Sequence, residues 1–380
     1  MTDAATDAHP ETRRARILEL GRSVGLDAVG ACTAVPFEGT RVVLEDRRAA
    51  GLDGGMQFTY RNPARSTDPS ATLAGCRSLV VGAVAYPADV PAAPDRPHAR
   101  VARYATTDHY SRLRRALDQI AQVLRDDGEK AIVVADENGL VDRAAAHRAG
   151  LGWYGKSANL LLPGRGSYFL LGSVITTADL GADPEPVSDG CGSCRRCLDG
   201  CPTGAIVAPG VVDAGRCLSW LLQRTGEFPR EYRHALGARI YGCDDCQEVC
   251  PPTRRAAGPA VGAAAGTAWI DVAWLLTATD DDLMERVDRW YIPDRDPRYV
   301  RRNALVVLGN VGDGHDPEVV SLLRTHLGGS DELLVGHAAW AAIALGRSDL
   351  LDDPRWSVHP AVEHERAAAA ASGVGQDGAT

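Results

Sequence analysis

The sequence lacks the features of an exported, membrane-spanning or uniformly basic protein. No run of about eighteen apolar residues occurs, and the first twenty residues carry four acidic and three arginine side chains instead of an apolar segment. Positive charge is not in excess, because 41 Lys+Arg stand against 50 Asp+Glu and give a formal net charge of −9. We therefore expect a cytoplasmic protein without membrane contact, in which any nucleic-acid binding uses a local basic face.

Cysteine is nearly absent outside one segment. Eight of the ten cysteines lie between Cys191 and Cys250, and only Cys32 and Cys76 lie elsewhere. A disulfide framework is typical of short secreted chains, whereas a local cluster in a long chain indicates metal or redox chemistry. We interpret the isolated Cys32 and Cys76, which have apolar neighbours, as small core residues.

The clustered cysteines have the spacing of a bacterial ferredoxin. The run from Cys191 to Cys201 is Cys-x2-Cys-x2-Cys-x3-Cys-Pro, and a second run from Cys243 to Cys250 is Cys-x2-Cys-x3-Cys-Pro, with Cys217 between them. In the ferredoxin pattern the last cysteine of each run binds the other cluster. The spacing predicts two [4Fe–4S] clusters, and structural zinc is the alternative. The predicted ligands are Cys191, Cys194, Cys197 and Cys250 for cluster 1, and Cys201, Cys217, Cys243 and Cys246 for cluster 2.

At 380 residues the chain is long enough for two or three modules. Hydrophobic patterning predicts a helix over 12–25 and another around 113–124, with strands at 28–32, 78–86, 130–135 and 167–177. This α/β region gives way at 184 to a segment rich in Gly, Pro and Cys, and a Gly/Ala-rich linker follows at 256–267.

Beyond the linker the pattern is helical. Residues 300–308 and 335–343 place apolar side chains in register 35 positions apart, which suits HEAT-like helix pairs, although two copies also fit an ordinary helical bundle. The residues from 366 to 380 are predicted to be a disordered tail.

Asp136 directly follows the predicted strand 130–135, a position where α/β folds place working groups. Gly150, Gly152 and Gly155 follow, and they predict a backbone that a large ligand can approach, with Lys156 available for a phosphate or an amide. The alternative for Asp136 is a cap on the helix after the strand.

These motifs together resemble the epoxyqueuosine reductase family. The resemblance covers roughly residues 12–345 and rests on several groups of residues: Asp136, Asp142-Arg143, Ala149 to Lys156, Arg239 to Cys246, Gly55-Met56, Arg65 to Pro69, Ala102 to Ala105, Asp108 and Tyr110, Arg302 to Ala304 and His337 to Trp340. The chain departs from the family pattern at Glu137-Asn138-Gly139, Asp142 and Ser157.

The resemblance implies an activity, cofactors and an architecture. The family reduces epoxyqueuosine at the tRNA wobble position to queuosine, using cobalamin and two [4Fe–4S] clusters. It implies an α/β cobalamin-binding and catalytic domain at 1–183, a ferredoxin-like domain at 184–255 and HEAT-like helical repeats at 268–350. Asp136 would be the proton donor, and the implied cobalamin contacts are Arg65, Asp136, Lys156, Ser157, Ser219 and Asp244.

The expected partners are a tRNA carrying epoxyqueuosine and an external low-potential electron donor, and the expected state is a monomer. The richest local basic run is Arg295 to Arg302, with further arginines at 230, 233 and 239, and its alternative interpretation is a solvated helix face. We predicted tRNA contacts at Arg239, Arg301 and Arg302. Two other functions stay open, namely a corrinoid reductase of another substrate such as an organohalide, and an electron carrier without catalysis.

Overall fold

The structure is a computed structural model, and it describes residues 9–86, 89–256 and 268–371. The predicted linker 256–267 lies, apart from Ala256, outside the described residues.

The chain forms two compact units, each built from separate stretches of sequence. The first unit comprises Met1–Asp89, Thr107–Gly215 and Asp244–Ala263, and the second comprises Val90–Thr106, Arg216–Cys243 and Ala264–Thr380. This division differs from the three consecutive modules predicted above, because residues 183 and 184 belong to one unit and the cysteine-rich segment contributes to both. The three predicted modules therefore do not coincide with the two compact units. Their division of the chain by function stays a prediction.

Most of the described strands are short, and the two longest have eight residues each. They are β1 Ala28–Thr33, β2 Ser78–Ala85, β3 His98–Val101, β4 Ala131–Val134, β5 Trp153–Tyr154, β6 Leu160–Leu161, β7 Phe169–Thr176, β8 Ile206–Ala208, β9 Val211–Val212, β10 Arg239–Tyr241 and β11 Trp269–Asp271.

Helices make up most of the remaining regular structure. They are α1 Pro10–Ser23, α2 Glu38–Ala49, α3 Gln57–Tyr60, α4 Pro63–Ser66, α5 His109–Asp126, α6 Asp142–Arg148, α7 Arg196–Asp199, α8 Leu218–Leu221, α9 Arg230–Leu236, α10 Asp245–Glu248, α11 Pro251–Ala256, α12 Val272–Thr277, α13 Asp280–Arg286, α14 Arg298–Val311, α15 Pro317–Leu327, α16 Glu332–Ala344 and α17 Pro360–Ala371.

The first unit is organised by a four-stranded sheet of order β1-β2-β7-β4, in which every pair is antiparallel. The register aligns Leu79 of β2 with Ile175 of β7 and with Cys32 of β1, and all three side chains are buried. Cys32 is therefore a core residue as predicted, and burial raises the pKa of its thiol to about 12. Cys76 is half-buried and packs against the same core from its edge.

Helix α5 packs on this sheet because its apolar side chains recur at helical spacing. Leu113, Leu117, Ile120 and Leu124 are fully buried, and Asp108 caps the helix by accepting a hydrogen bond from the Ser111 N–H. The helix runs alongside β4 and β7. It therefore brings the side chains of its first turns to the loop that follows β4.

The second unit combines a small sheet with helices. Its strands have the order β10-β3-β11, with β10 parallel and β11 antiparallel to β3. One apolar core runs from these strands through α12, α14, α15, α16 and α17. Almost every residue of α14 from Val300 to Gly309 is buried, so this helix lies at the centre of the unit.

The predicted elements agree with the observed ones to within two residues at most ends. The exception at the C-terminus is the predicted tail, because α17 continues to Ala371 and buries Val362, Glu365 and Ala369. These positions follow helical spacing, so residues 366–371 have a packed face and their predicted disorder is wrong. Residues 372–380 lie outside the described part of the chain. Among the helices that the structure describes, none is long and apolar enough to span a membrane.

Candidate cluster and acid site

The first cysteine run and Cys250 lie together in the first unit. Burial raises the pKa of the Cys197 thiol, and the neighbouring thiolates of Cys250 and Cys191 raise it further. Such repulsion requires the three sulfurs to be close to one another. Cys250 is therefore near the first run, 49 positions after Cys201, as the ferredoxin pairing requires.

The second predicted ligand set takes cysteines from both units. Cys201 and Cys246 belong to the first unit, and their sulfurs accept hydrogen bonds from the Ala205 N–H at 3.2 Å and from Asn159 Nδ2 at 3.7 Å. Cys217 and Cys243 belong to the second unit. All four side chains are half-buried. This ligand set stays a prediction from the cysteine spacing.

The sulfur environments suit iron–sulfur clusters. Amide donors to sulfur, such as the Ala205 N–H, are a known means of adjusting cluster potential. Within residues 9–86, 89–256 and 268–371, no three His, Cys, Asp or Glu side chains are grouped around a single-ion site. A cubane binds each thiolate through a different iron, so cluster ligands need not converge on one point. The eight half-buried thiols therefore fit two clusters.

Lys156 lies in the β5–β6 hairpin and holds the first cysteine run. Its Nζ atom donates to the carbonyl oxygens of Gly192 at 2.6 Å and Cys194 at 3.0 Å. The sequence predicted a cobalamin contact here. The structure shows that the ammonium group is hydrogen-bonded to main chain between two cluster cysteines.

The glycines after Asp136 do not leave open backbone for a ligand. A Cβ atom at Gly152 would lie 2.1 Å from the Leu161 carbonyl oxygen, one at Gly155 would lie 2.4 Å from the Leu161 side chain, and one at Gly150 would lie 2.9 Å from Pro184. The space beside each glycine is filled by the protein itself. The prediction that these glycines admit a large ligand is therefore wrong, and their role is close packing of the hairpin.

Asp136 lies at the start of the loop after β4, with its side chain reaching the surface. Its φ is +56°, a left-handed conformation that aspartate tolerates better than most residues. Surrounding protein raises the pKa of the carboxyl group, while a hydrogen bond from Tyr110 and the charge of Arg114 oppose that rise. The result is an accessible acid that holds its proton to a higher pH than usual.

The capping alternative for Asp136 is wrong. Helix α6 begins at Asp142, and its N-cap is Val141, which provides no side-chain cap. Asp136 therefore precedes the cap position by five residues. Its side chain is hydrogen-bonded by Tyr110 of α5 and does not serve the start of α6.

Asp142 is a second perturbed carboxyl group beside this loop. Its Oδ1 atom is buried and has no hydrogen-bond partner among the described residues. Burial raises the pKa of Asp142 well above its usual value, and the charge of Asp136 raises it further. The two carboxyl groups therefore interact, and the charge of either one favours the protonated form of the other.

The remaining residues predicted to contact cobalamin differ in accessibility. Arg65 is exposed, Ser157 and Ser219 are half-buried, and Asp244 is only 4% exposed. The carboxylate of Asp244 accepts a hydrogen bond from Gln247. Ser219 belongs to the second unit and the other residues to the first.

The prediction that this basic run contacts tRNA is wrong for Arg302 and has less support for Arg301. Arg302 is fully buried, so its guanidinium cannot reach a phosphate group. Arg301 has a side chain only 16% exposed, which pairs with Asp280 and donates to the Ala278 carbonyl. Arg295 likewise donates to three main-chain carbonyls of its own unit. Arg301 and Arg302 therefore serve the packing of the second unit, and the solvated-face alternative is wrong for these two, whereas Arg295 is exposed as that alternative expects.

Arg239, the third predicted tRNA contact, is half-buried and donates to the carbonyls of Ala235 and Leu236.

The sequence analysis missed the role of Arg114, which donates to the Ala135 carbonyl and pairs with Glu137 at 3.1 Å. Tyr110 and Arg114 are one helical turn apart on α5, and that i, i+4 spacing was the available signal.

Comparison with known proteins identifies the family. Residues 190–253 match the 4Fe-4S double cluster binding domain. The chain is 31% identical over 343 residues to the epoxyqueuosine reductase of Bacillus anthracis, covering 87% of this chain and 88% of the relative. It also matches a crystal structure of epoxyqueuosine reductase with an epoxyqueuosine-modified tyrosine tRNA stem loop, with a TM-score of 0.83, 27% identity and coverage of 94% and 100%.

A structure of the Bacillus subtilis enzyme, described as having its catalytic aspartate loop swung out of the active site, matches with a TM-score of 0.82 and 28% identity over 94% of this chain and 98% of that one. The fold is accordingly a mixed helix and strand architecture with a double-cluster domain, shared along almost the whole chain. On this combined evidence the chain belongs to the epoxyqueuosine reductase family.

Proposed function

We propose that this protein reduces epoxyqueuosine in tRNA to queuosine, as an oxidoreductase of the last step in making that nucleoside. One observation carries the proposal: the chain covers the whole of a related structure that holds an epoxyqueuosine-modified stem loop. Removing an epoxide oxygen as water takes two electrons and two protons. The protein therefore has to deliver electrons one at a time and place an acid at the oxygen.

The electrons would pass through two [4Fe–4S] clusters supplied by an external low-potential donor. Cys191, Cys194, Cys197 and Cys250 would hold the first cluster, and the mutual influence of the Cys191, Cys197 and Cys250 thiols supports this assignment. Cys201, Cys217, Cys243 and Cys246 would hold the second.

Cobalamin is the cofactor that the family resemblance implies, and some of the predicted residues fit it. The exposed Arg65 guanidinium and the Ser157 hydroxyl suit its amide and phosphate groups, and Ser219 is a further hydroxyl. Lys156 and Asp244 fit less well, because both already have hydrogen-bond partners within the first unit. When bound, cobalamin supplies a strongly reducing cobalt centre.

Asp136 would donate the proton to the epoxide oxygen as the ring opens. Its side chain is accessible, and its raised pKa keeps a larger fraction protonated near neutral pH. Tyr110 would orient the carboxyl group through its hydrogen bond, and Arg114 would hold the loop through the Ala135 carbonyl. The catalytic aspartate loop of the Bacillus subtilis relative supports this assignment.

The finer architecture is also proposed. The α/β region would form the cobalamin-binding domain, the cysteine-rich region a ferredoxin-like domain and α14–α17 HEAT-like repeats. The two predicted repeat stretches support this, since they lie on α14 and α16, which pack against each other.

The decisive experiment is anaerobic reconstitution with iron, sulfide and cobalamin, followed by mass analysis of epoxyqueuosine-containing tRNA. Conversion to queuosine supports the proposal. A corrin-loaded protein that leaves this tRNA unchanged but dehalogenates an organohalide would establish the rival substrate. A protein that takes up iron but no corrin would be an electron carrier.

A further inference from the structure

Arg302 and Asn303 are neighbouring side chains of α14 that are both buried, with exposures of 0% and 3%. The Arg302 guanidinium donates to four main-chain carbonyls within one short stretch of chain. Its Nη1 atom lies 2.8 Å from the Arg224 oxygen and 2.7 Å from the Gly226 oxygen. Its Nη2 atom lies 3.3 Å from the oxygens of both Leu221 and Leu222. The guanidinium group therefore binds the last residue of α8 and the residues that follow it.

Asn303 links that stretch to a second one. Its Nδ2 atom donates to the Leu222 oxygen at 2.9 Å and to the Ile240 oxygen at 3.4 Å. Its Oδ1 atom accepts from Arg302 Nε and Nη2 at 3.0 and 2.8 Å. The two side chains form one hydrogen-bonded group that joins residues 221–226 to β10.

A predicted cluster ligand lies within four residues of each bound segment. Cys217 is the N-cap of α8, and its carbonyl accepts the Leu221 N–H at 2.9 Å, while the Leu221 carbonyl accepts from Arg302. Cys243 follows Ile240 by three residues. Gly242, between them, has a φ of +71° and no room for a Cβ atom, because Ala102 would lie 2.5 Å away. Cys243 is thus placed by a fixed turn at the end of β10.

The charge of Arg302 makes the arrangement unusual. Within the part of the chain that the structure describes, Arg302 has no carboxylate partner, and its hydrogen bonds go to carbonyl and amide oxygens. A buried cation without a carboxylate is costly to desolvate. Burial lowers the pKa of Arg302 to about 9, so the group is still protonated at neutral pH. The Arg302 cation therefore donates the hydrogen bonds that the carbonyl groups at the end of α8 would otherwise lack.

We propose that Arg302 and Asn303 are positioning residues that hold Cys217 and Cys243 in place as ligands of the second iron–sulfur cluster. This inference rests on the two-cluster function proposed above. It also explains why an arginine that looked like a tRNA contact in the sequence is fully buried in the second unit.

The test compares two asparagines that are two turns apart on α14. Asn303→Ala removes the bonds to Leu222 and Ile240, whereas Asn310→Ala removes bonds of the same kind to Arg233 and Gly237. Arg302→Met and Arg302→Lys complete the set. Each full-length variant is reconstituted anaerobically with iron and sulfide, its iron per chain is measured, EPR spectra are recorded after reduction, and thermal unfolding of the iron-free protein is followed.

We expect wild type and Asn310→Ala to bind about eight irons per chain, and Asn303→Ala and Arg302→Met to bind about four, with the EPR signal of one cluster remaining. Arg302→Lys should fall between, because an ammonium group cannot reproduce the fork. Wild-type iron and EPR spectra in Asn303→Ala and the Arg302 variants would overturn the proposal, as would equal damage to both clusters. If Arg302→Met does not fold, Asn303→Ala and Arg302→Lys decide the question. Wild-type protein with far fewer than eight irons would instead contradict the proposed function.

Discussion

Lys156 Nζ lies 2.6 Å from the carbonyl oxygen of Gly192, in the tight turn between Cys191 and Cys194. The same ammonium group also binds the Cys194 carbonyl at 3.0 Å. One cation thus fixes two peptide groups of the first cysteine run, and it comes from a hairpin about forty residues earlier in the chain.

Lys156→Met should therefore weaken the first cluster. Hydrogen bonds from charged donors contribute about 1.5–3 kcal/mol each, so without them the turn should be more mobile and the loaded protein should lose iron faster. The measurement is the rate of iron loss to a chelator under anaerobic conditions. Lys130 is the only other lysine of the chain and is exposed, so Lys130→Met is the matched control. Equal iron-loss rates in the two variants would show that the Lys156 bonds are dispensable.

Cys217→Ser should remove one cluster and spare the other. By the ferredoxin pattern, Cys217 shares a cluster with Cys201, Cys243 and Cys246, whereas all four predicted ligands of the first cluster lie in the first unit. Iron should fall from about eight to about four per chain, as measured by metal analysis of anaerobically reconstituted protein. Complete loss of iron, or zinc in place of iron in wild type, would refute this partition.

Local patterns predicted the secondary-structure elements and the double-cluster segment, which matches a 4Fe-4S double cluster binding domain at residues 190–253. The strands at β2, β4 and β7 and the helix α5 follow from apolar periodicity within short windows, and ligand spacing is likewise a local property. The ends of β2, β4 and β7 agree with the prediction within two residues, whereas α5 begins four residues before the predicted helix because its first turn carries no buried side chain.

The contacts of individual arginine and lysine side chains could not be predicted from local sequence patterns. Arg301 and Arg302 are adjacent and identical in type, yet one pairs with Asp280 and the other is fully buried against carbonyls some eighty residues away. Almost every position from Val300 to Gly309 is buried, so the side of α14 on which a residue lies does not tell the two apart. Lys156 presents the same difficulty, since its partners are distant in sequence.

Arg301→Ala should leave the salt dependence of tRNA binding unchanged. The side chain is mostly enclosed and is neutralised by Asp280, so it releases no counterion from the RNA. The check is a filter-binding titration at several salt concentrations. A fall of about one in the slope of log K against log salt would instead identify a phosphate contact at this position.

Asp142→Asn should stabilise the protein increasingly as pH rises. The folded state raises the pKa of Asp142, so between the unfolded pKa and the folded pKa the native state binds more protons than the unfolded state. Wild-type stability therefore falls with rising pH above about 4, and the neutral amide removes that dependence. Loss of a negative charge at the first position of α6 should cost at most about 1 kcal/mol.

Urea unfolding of iron-free wild type and Asp142→Asn from pH 4 to pH 8 measures this difference. The free-energy curves should diverge as pH increases, with the variant higher at neutral pH. Parallel curves would mean that Asp142 is as well solvated in the folded state as in the unfolded chain.

Substitution of Asp136 tests the chemical step separately from the binding of the cofactors. Because it does not cap α6, its replacement removes no helix cap, and asparagine tolerates the left-handed φ of +56° as aspartate does. Its pKa is raised, so the protonated acid is lost, and turnover should fall, as pH increases through that raised value.

Asp136→Asn should therefore keep fold, iron content and cobalamin binding, yet reduce turnover by roughly 10²–10⁴, the range for a lost general acid. Single-turnover reduction of epoxyqueuosine-containing tRNA by pre-reduced protein measures the chemical step. Glu137→Gln is the comparison variant: Glu137 is the next carboxylate of the same loop and its charge raises the pKa of Asp136, so its loss should shift the pH profile of turnover to lower pH and leave the acid in place. The residual rate of Asp136→Asn should also lose the fall with rising pH that the wild type shows. Near wild-type turnover in Asp136→Asn would transfer the role to water or to another acid, with Asp142 the first to test, since its carboxyl group interacts with Asp136 and its own pKa is also raised.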